Sequence, residues 1–401
     1  MSYPTERLGK YIDILSGFAF KSKDFSDSGV PVIKIKNITP PYVSLDDITY
    51  VSNDIASQQK KFQVHYDDIL IALTGSHINQ MASVVGRIAK VKFFDKALLN
   101  QRVGKIYTVD AAACNLDYVY YFLSQGKVKI ELASKAGGAA NQANISPADI
   151  KKLQIPFPTK EKQDRIADIL LTYDHLIENN QKQIKLLEEA AQRLYKEWFV
   201  DLRFPGYETA SVVDGVPEGW KEQALSQIAD VVMGQSPKSE YYNQSGEGLP
   251  FHQGVGSYGN RFVINNTYTT SFTRIAKAGS VLFSVRAPVG RLNLTKGKIV
   301  IGRGLAAINH RQGFQSFLFY LLKEHFFKDD IIGNGSIFAS ISKGELLNQK
   351  FLIPSSGLVK RFDGIASGLD QKIDALSGQT RLLTEARDRL LPKLMSGDIE
   401  V

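Results

Sequence analysis

Apolar residues between positions 159 and 200 recur at alternating steps of four and three. A period of 3.5 residues keeps one face of a helix against a partner helix, and charged or amide residues fill the other faces of this segment. The pattern predicts one long helix that needs a partner along a single stripe. The residues of the stripe are Ile166, Leu170, Tyr173, Ile177, Asn180, Ile184, Leu187, Ala191, Leu194 and Trp198.

The partner helix is predicted in the same chain, near its C-terminus. The two segments align with a constant offset, since Asp370 follows Asp174 by 196 residues (370 − 174 = 196). We expect the two helices to pack as an antiparallel coiled coil, with Asn180 as a register device in an otherwise apolar stripe. We also expect Pro392 to end or kink the second helix near Leu391. The second stripe consists of Phe362, Ala366, Leu369, Ile373, Leu376, Thr380, Leu383, Arg387, Leu390 and Leu394.

A duplicated helix implies a duplicated protein, and the remaining sequence repeats as well. The matched positions are Leu8 with Leu225, Gly17 with Gly234, residues 67–72 with 278–284, Arg87 with Arg291, and Arg102 with Arg303. Each half then shows the same predicted segments in the same order. These are a strand pattern (31–36 and 249–253), a short aromatic helix (116–123 and 317–322), a loop of small residues (137–146 and 333–342), and an apolar strand ending in proline (153–156 and 351–354).

The repeats define the predicted domains. These are a first globular domain at 1–158, a long helix at 159–203, a Pro- and Gly-rich linker at 204–219, a second globular domain at 220–355, and a second long helix with a tail at 356–401. Alternating strands and short helices favour the α+β fold class for the globules, with pseudo-twofold internal symmetry. The loops differ between the halves while the scaffold repeats, which indicates a shared fold and different binding targets.

Charge and composition change this picture in two ways. The 401 residues carry a net charge of +8, and the excess lies in the globular regions, with 19 basic and 14 acidic residues in 1–158 and 15 and 9 in 216–355. This favours a polyanionic partner, although a solvated basic surface without a ligand is the alternative. The sequence has one cysteine, Cys114, and no apolar run approaches the roughly 20 residues that span a bilayer. We therefore expect a cytoplasmic protein.

Motifs for catalysis either are missing or lack their structural context. Residues 254–259 spell G-x-G-x-x-G, but a strand pattern follows at 260–265 where a dinucleotide site needs a helix. Residues 39–42, Thr-Pro-Pro-Tyr, differ by one residue from the Asn/Asp-Pro-Pro-Tyr motif of amino-methyltransferases but lack a glycine-rich cofactor loop, which favours a proline turn. The sequence has no P-loop lysine, zinc helix or nucleophile elbow, and its histidines lack metal-ligand spacing. It therefore predicts binding, with no catalytic residue and no metal.

Polar residues in the turns of both globules are the candidates for contacts with bases and phosphates. Arginine and lysine suit guanine edges and phosphates, and asparagine and glutamine suit adenine. In the first half these candidates are Lys34, Lys36, Asn37, Thr74, Ser76, Asn79, Gln80, Arg87, Arg102, Asn141, Gln142 and Asn144. In the second half they are His252, Gln253, Ser257, Tyr258, Arg261, Arg286, Arg291, Arg303, Asn334, Ser336 and Ser340. The arginines that recur in both halves stand out, although recurrence also fits a structural salt bridge.

This organisation resembles the specificity (S) subunit of type I restriction-modification systems, over nearly the whole chain. Its most specific motifs are Lys-Glu-Trp-Phe-Val-Asp-Leu-Arg-Phe-Pro-Gly at 196–206, Leu-Leu-Pro-Lys-Leu-Met-Ser-Gly at 390–397, and the strand-Ile-Pro exit before each long helix. The recognition domains of that family diverge so widely that no base-reading residue can be carried over by motif.

The resemblance implies that each globule is a target recognition domain for one half of a bipartite double-stranded DNA sequence, with the helices as a spacer. It also implies two methyltransferase (modification) subunits that use S-adenosylmethionine to methylate adenine N6, and restriction/translocase subunits that use ATP and Mg. Catalysis and cofactors would belong to those partners, and this chain would be non-enzymatic. The alternative is a coiled-coil scaffold that joins two protein-binding domains. Sequence-specific, salt-sensitive DNA binding would separate the two.

Overall fold

The computed structural model describes residues 3–75, 85–135, 143–326 and 340–401. The chain divides into two compact units. The first unit comprises Met1–Glu178 and Thr380–Val401, and the second comprises Asn179–Gln379. Each unit therefore contains one globular region and a part of both long helices.

The helices, in chain order, are α1 (Asn53–Gln58), α2 (Leu116–Ser124), α3 (Gly126–Ser134), α4 (Pro147–Lys151), α5 (Lys160–Phe199), α6 (Leu225–Ile228), α7 (Gln315–Phe326), α8 (Lys343–Leu347) and α9 (Ser356–Ser396). The strands of the first unit are β1 (Thr5–Arg7), β2 (Ile12–Ser16), β3 (Phe25–Ser26), β4 (Val30–Ile33), β5 (Ile38–Thr39), β6 (Tyr42–Val43), β7 (Thr49–Val51), β8 (Gln63–Val64), β9 (Ile69–Ala72), β10 (Thr74–Gly75), β11 (Ile88–Lys90), β12 (Ala97–Leu99), β13 (Val103–Thr108), β14 (Ala143–Asn144) and β15 (Gln154–Pro156). Those of the second unit are β16 (Val212–Val213), β17 (Val216–Pro217), β18 (Lys221–Ala224), β19 (Ala229–Met233), β20 (Tyr242–Asn243), β21 (Leu249–His252), β22 (Tyr268–Thr269), β23 (Ile275–Ala276), β24 (Val281–Ser284), β25 (Leu292–Leu294), β26 (Ile299–Ile301), β27 (Leu305–His310) and β28 (Lys350–Ile353).

Each unit contains two larger sheets that follow the same plan. In the first unit their strand orders are β2-β13-β9-β11-β6-β5 and β3-β7-β4-β12-β8, and in the second they are β19-β27-β24-β25 and β20-β22-β21-β26-β23. Pairs β4–β12 and β21–β26 are parallel, whereas β9–β13 and β24–β27 are antiparallel. The predicted α+β class and the internal repeat are confirmed.

The long helices complete the core of each unit. In the first unit, Ile166 and Leu170 of α5 are fully buried with Leu394 and Met395 of α9 and with the aromatic helix α2. In the second unit, the buried residues Ala191, Tyr195 and Trp198 of α5 pack with Val359, Phe362 and Ala366 of α9. The start of α5 thus packs near the end of α9, and the end of α5 near its start, which is the predicted antiparallel pairing.

Two local predictions are wrong, and one of the two outcomes expected at Pro392 does not occur. The strand expected at 31–36 ends at Ile33, because the Asn37 side chain accepts a hydrogen bond from the backbone N–H of Lys34 (3.0 Å) and residues 35–37 form a 3-10 turn. Residues 260–265 form isolated bridges, Tyr258–Val263 and Phe262–Leu294, rather than a strand. Helix α9 does not end near Leu391, because it continues through Pro392 to Ser396. Burial of Leu394 and Met395 compensates for the backbone hydrogen bond that proline cannot donate.

The register also corrects one alignment between the halves. The backbone N–H of Leu73 donates to the carbonyl of Arg102 (2.9 Å), and the equivalent bond runs from Val285 to Gly304 (2.9 Å). Arg102 therefore corresponds to Gly304, and Gln101 corresponds to Arg303. The other recurring pair is confirmed, because Ala72 donates to the carbonyl of Arg87 and Ser284 to that of Arg291, both at 2.9 Å.

Candidate nucleic-acid interface

Five of the described candidates in the first unit gather at one end of its two larger sheets. Lys34 follows the end of β4, Arg87 precedes β11, and Arg102 precedes β13. Thr74 and Asn144 lie directly opposite each other in the short ladder of β10 and β14. Because β11 and β13 run antiparallel to β9, their starts lie at the end of β9 that leads into Thr74.

The second unit repeats this arrangement with different side chains. Gln253 and Arg303 follow the ends of the parallel strands β21 and β26, which places them at one end of their sheet. Arg286 follows β24, and Arg291 precedes β25, its antiparallel neighbour. Arg286 forms a bridge with Ser340, at the position that Thr74 and Asn144 occupy in the first unit. We call these two equivalent regions the sheet ends.

Exposure divides the described candidates into three groups. The exposed ones are Lys36, Arg102, Asn144, Gln253, Arg286, Arg291, Arg303 and Ser340. Partly exposed are Lys34, Arg87, Ser257 and Tyr258, and buried are Asn37, Thr74, His252 and Arg261. The candidates Ser76, Asn79, Gln80, Asn141, Gln142, Asn334 and Ser336 lie outside the described residues.

Some exposed or partly exposed lysines already have partners within the first unit. The Lys34 ammonium lies 3.9 Å from the centre of the Phe25 ring and donates to the Thr49 hydroxyl (3.1 Å). Partial burial, with the neighbouring charge of Lys36, lowers the pKa of Lys34. Lys36 forms an ion pair with Asp47, and this hydrogen bond lowers the pKa of the Asp47 carboxyl. A contact with DNA would have to compete with these interactions.

The buried candidates have structural partners that argue against base contacts. His252 is fully buried between the Ser257 hydroxyl (2.7 Å from Nδ1) and the Asn265 side-chain oxygen (3.0 Å from Nε2), and burial lowers the pKa of its imidazole. Asn37 holds its own turn, and its amide donates to the carbonyl of Asp46 (3.2 Å). These side chains satisfy polar groups inside the unit, which is the usual reason for burying them.

Arg261 joins the second globule to the long helices. Its guanidinium pairs with Asp370 of α9 and Glu188 of α5, the latter at 3.5 Å, and lies 4.5 Å from the centre of the Phe319 ring. Asp370 also accepts hydrogen bonds from the hydroxyls of Tyr320 (3.0 Å) and Ser316. Arg261 is thus part of a buried ionic junction rather than of an exposed surface.

The first unit has a corresponding ionic junction, in which the arginine comes from a different element. Asp174, which the 196-residue offset pairs with Asp370, accepts hydrogen bonds from the Tyr121 hydroxyl (2.6 Å) and from Arg387 of α9 (2.7 Å). The backbone position of Arg261 is occupied here by Pro41. The Pro41 carbonyl accepts a hydrogen bond from the backbone N–H of Lys90 (3.0 Å) at the end of β11, and the Arg261 carbonyl accepts one from Leu294 (2.9 Å) at the end of β25, the equivalent strand. The repeated carboxylate therefore has a repeated role, while the arginine that neutralises it comes from a different element in each unit.

Two residues at the second sheet end were missed by the sequence analysis. Ser236 donates a hydrogen bond to Gln253 (2.7 Å), and Arg274 is exposed next to Ile301, whose backbone N–H donates to its carbonyl (2.9 Å). Neither belongs to a motif or recurs in the other half, so only the sheet register could identify them.

The described residues contain no cluster of three or more His, Cys, Asp or Glu side chains that could hold a metal ion. Within the same ranges, no helix is both long and apolar enough to cross a membrane. The exposed arginine, lysine and amide groups of the sheet ends can donate hydrogen bonds to base edges and phosphates. Their chemistry is that of a binding surface.

Comparison with known proteins identifies relatives of this arrangement. A family model described as type I restriction modification DNA specificity domain matches residues 5–189 and 217–380. A Methanocaldococcus jannaschii protein assigned as the MjaX specificity subunit of a type I restriction enzyme is 30% identical over 378 residues, covering 93% of this chain and 88% of the relative. The type I restriction enzyme MjaIX specificity subunit of the same organism is 25% identical, covering 95% and 93%.

A solved structure shares the fold. The crystal structure of the type I restriction-modification system S subunit from M. genitalium superposes with a TM-score of 0.62 at 18% sequence identity. The match covers 98% of this chain and 96% of that one.

Proposed function

This chain belongs to the family of type I restriction-modification DNA specificity proteins, and we propose that each of its units reads one half of a bipartite double-stranded DNA target. The observation that carries the proposal is the sheet end, an equivalent region that occurs once in each unit and presents different exposed donors in the two, Arg102 and Asn144 in the first and Arg286, Arg291 and Arg303 in the second. Different side chains on the same scaffold suit two different half-sites.

Catalysis is assigned in this proposal to partner subunits. The chain would act within a cytoplasmic complex with two methyltransferase subunits, which use S-adenosylmethionine, and restriction/translocase subunits, which use ATP and Mg. The names of the relatives, specificity subunits of restriction enzymes, support this division of labour. The chain itself would supply sequence recognition and no chemical step.

The test is a selection from randomised duplex DNA, using the full chain purified with the subunits that accompany it from its native cell. We expect two short specific blocks separated by bases without preference, with binding that weakens steeply as salt rises. Replacing Arg286 by alanine should weaken binding, whereas the matched Arg311→Ala should not. Arg311 is also exposed, but it follows β27 at the opposite end of the sheet and pairs with Asp230 (3.0 Å). Retention of protein partners with no sequence preference would instead favour the scaffold alternative.

A further inference from the structure

Ser236 joins two exposed candidates at the second sheet end. Its hydroxyl donates to the side-chain oxygen Oε1 of Gln253 (2.7 Å), and its oxygen accepts the backbone N–H of Arg303 (3.3 Å). A hydroxyl has one proton, and here the hydroxyl donates that proton to Gln253 while its oxygen accepts the N–H of Arg303. The turn that carries Arg303 and the side chain of Gln253 are therefore held by the same atom.

The backbone around this serine fixes the arrangement further. Gln235 donates to the carbonyl of Ile301 (2.9 Å), and Gly304 donates to the carbonyl of Gln253 (3.1 Å). A Cβ atom at Gly302 would lie 2.5 Å from Oε1 of Gln253 and 3.0 Å from its Cα atom. The Gln253 side chain thus lies against the backbone of Gly302, and this close contact adds to the hydrogen bond from Ser236 in fixing its conformation.

This order determines which hydrogen bonds Gln253 can offer to a ligand. A glutamine whose amide is unconstrained can pair with adenine through its oxygen and its nitrogen together. Here the oxygen accepts from Ser236 and also lies against Gly302, where a Cβ would be 2.5 Å from it, so the two N–H groups of Nε2 are the groups left for a ligand. Arg303 adds a guanidinium, which has donors only. The exposed groups of this small cluster are donors.

The base edges in the major groove differ in the hydrogen-bond acceptors and donors that they present to such a cluster. Guanine presents two acceptors, N7 and O6, whereas adenine presents one acceptor and one donor. We propose that Gln253 and Arg303 form a guanine-reading site in the second unit and that Ser236 is its positioning residue. The inference rests on the proposed function, because it assumes that the second sheet end faces DNA.

The first unit lacks the same cluster, which provides an internal control. The equivalent positions hold Ala19 for Ser236, Lys34 for Gln253 and Gln101 for Arg303, as the shared backbone hydrogen bonds show. Alanine has no hydroxyl, and the Lys34 ammonium is engaged by Phe25 and Thr49. A change in the cluster should therefore alter one half-site and leave the other as it is.

The experiment compares three variants in the selection from randomised duplex DNA, each as the full chain purified with its accompanying subunits. Gln253→Glu replaces the donor group by an acceptor of the same shape. Ser236→Ala removes the positioning hydroxyl. Gln235→Glu is the matched control, because it introduces the same charge on an exposed neighbouring glutamine.

We expect the unmodified protein to select guanine at one position or more of one half-site. Gln253→Glu should reduce that preference by roughly 10-fold or more, toward bases that present a donor, and Ser236→Ala should relax it toward both purines. The first half-site should be unchanged in both variants, and Gln235→Glu should keep the guanine.

Each contrary result has a distinct meaning. Absence of any sequence selection by the unmodified protein would overturn the proposed function itself. A clear bipartite target that lacks guanine in the affected half-site, or one that Gln253→Glu leaves unchanged, would overturn the guanine site alone. A Ser236→Ala variant as selective as the unmodified protein would remove Ser236 from the positioning role.

Discussion

Arg261 is a charged side chain that folding withdraws from water, with only 3% of its side chain exposed. Removing one partner of such a pair leaves the other charge buried and uncompensated, which typically destabilises a protein by about 3–5 kcal/mol. We therefore expect Arg261→Ala to lower the free energy of unfolding of the second unit by that amount. Chemical denaturation, followed by a probe in the second unit, would measure it.

The matched control is an exposed ion pair in the same unit. Lys238 lies 3.7 Å from Glu240, and both side chains are largely exposed. Lys238→Ala should change stability by less than about 1 kcal/mol, because solvent screens such pairs. An Arg261→Ala variant as stable as Lys238→Ala would contradict the junction and return Arg261 to the candidates for DNA contact.

His252 gives the second unit a predictable response to acid. Burial lowers the pKa of both His252 and His310 below the ordinary value of 6.5. Between pH 6.5 and the lowered pKa values, the unfolded chain binds protons that the folded chain does not, so stability decreases as pH falls through this window. We expect the melting temperature of the second unit to drop between pH 7.5 and 5.5.

Replacing the histidine tests this assignment. The drop should be smaller in His252→Gln, which cannot be protonated, than in the unmodified chain, after each is compared with itself at pH 7.5. His65→Gln, at an exposed position of the first unit, serves as the control. An equal acid response in all three proteins would show that other groups control it.

Single side chains were the hardest feature to predict from the sequence. Glycine-rich turns and strand ends led to candidate residues that the structure places at the sheet ends, because these features are local. The burial of Arg261 depends on Asp370, 109 residues away in the chain, and no local pattern distinguishes it from the exposed Arg286. The same limit applies to Ser236, whose importance appears only when β21 and β26 are aligned.

At the scale of the element, the apolar stripe of the long helices predicts which leucines hold them in place. Leu170 of α5 is fully buried in the first core, whereas Leu186 of the same helix is 64% exposed. Leu170→Ala should lower the free energy of unfolding by about 2–5 kcal/mol, since it removes buried surface and leaves a cavity. Leu186→Ala should change it by no more than about 0.5 kcal/mol.

Thermal and chemical unfolding of the two variants would compare the same substitution at a buried and at an exposed position of α5. The pair Ile373→Ala and Leu382→Ala repeats the test on α9, where Ile373 is fully buried and Leu382 is 56% exposed. Equal losses within each pair would mean that the stripe does not face a partner.

The helices show what a repeat can and cannot reveal. Their seam and antiparallel pairing followed from a 3.5-residue period, and the 196-residue offset paired Asp174 with Asp370. These carboxylates accept hydrogen bonds from the hydroxyls of Tyr121 in α2 and Tyr320 in α7, which tie the long helices to the globular regions. Because they join segments about 50 residues apart in sequence, 53 in one unit and 50 in the other, the sequence predicted their equivalence but not their role.

At the scale of the whole molecule, the repeat predicts that recognition is modular. Exchanging residues 1–158 for the corresponding region of a relative should change one half of the selected DNA sequence and leave the other intact. The donor region should keep a tyrosine at position 121, because Asp174 of the retained helix needs its hydroxyl. Selection from randomised duplexes would read the outcome, and a change in both half-sites would show that the units do not act independently.

The length of the long helices predicts the spacer between the half-sites. Inserting one heptad after Asn180 and one after Leu376 keeps both stripes in phase and adds ~10 Å of helix, equivalent to about 3 base pairs. We expect a preference for a longer spacer, by up to that amount because each base pair also rotates the far half-site by ~34°. A folded variant that binds only the original spacer would assign the spacing to the proposed partner subunits.

The discontinuous composition of the first unit has a consequence for biosynthesis. The second unit is one continuous segment, Asn179–Gln379, whereas the first core needs Leu394 and Met395. Domains that fold during translation usually form in the order in which the ribosome makes them. Here the second unit is complete once residue 379 has been synthesised, whereas the first unit is incomplete until the end of α9 has been synthesised. Released chains that end at residue 379 should therefore protect the second unit from protease while the first remains sensitive.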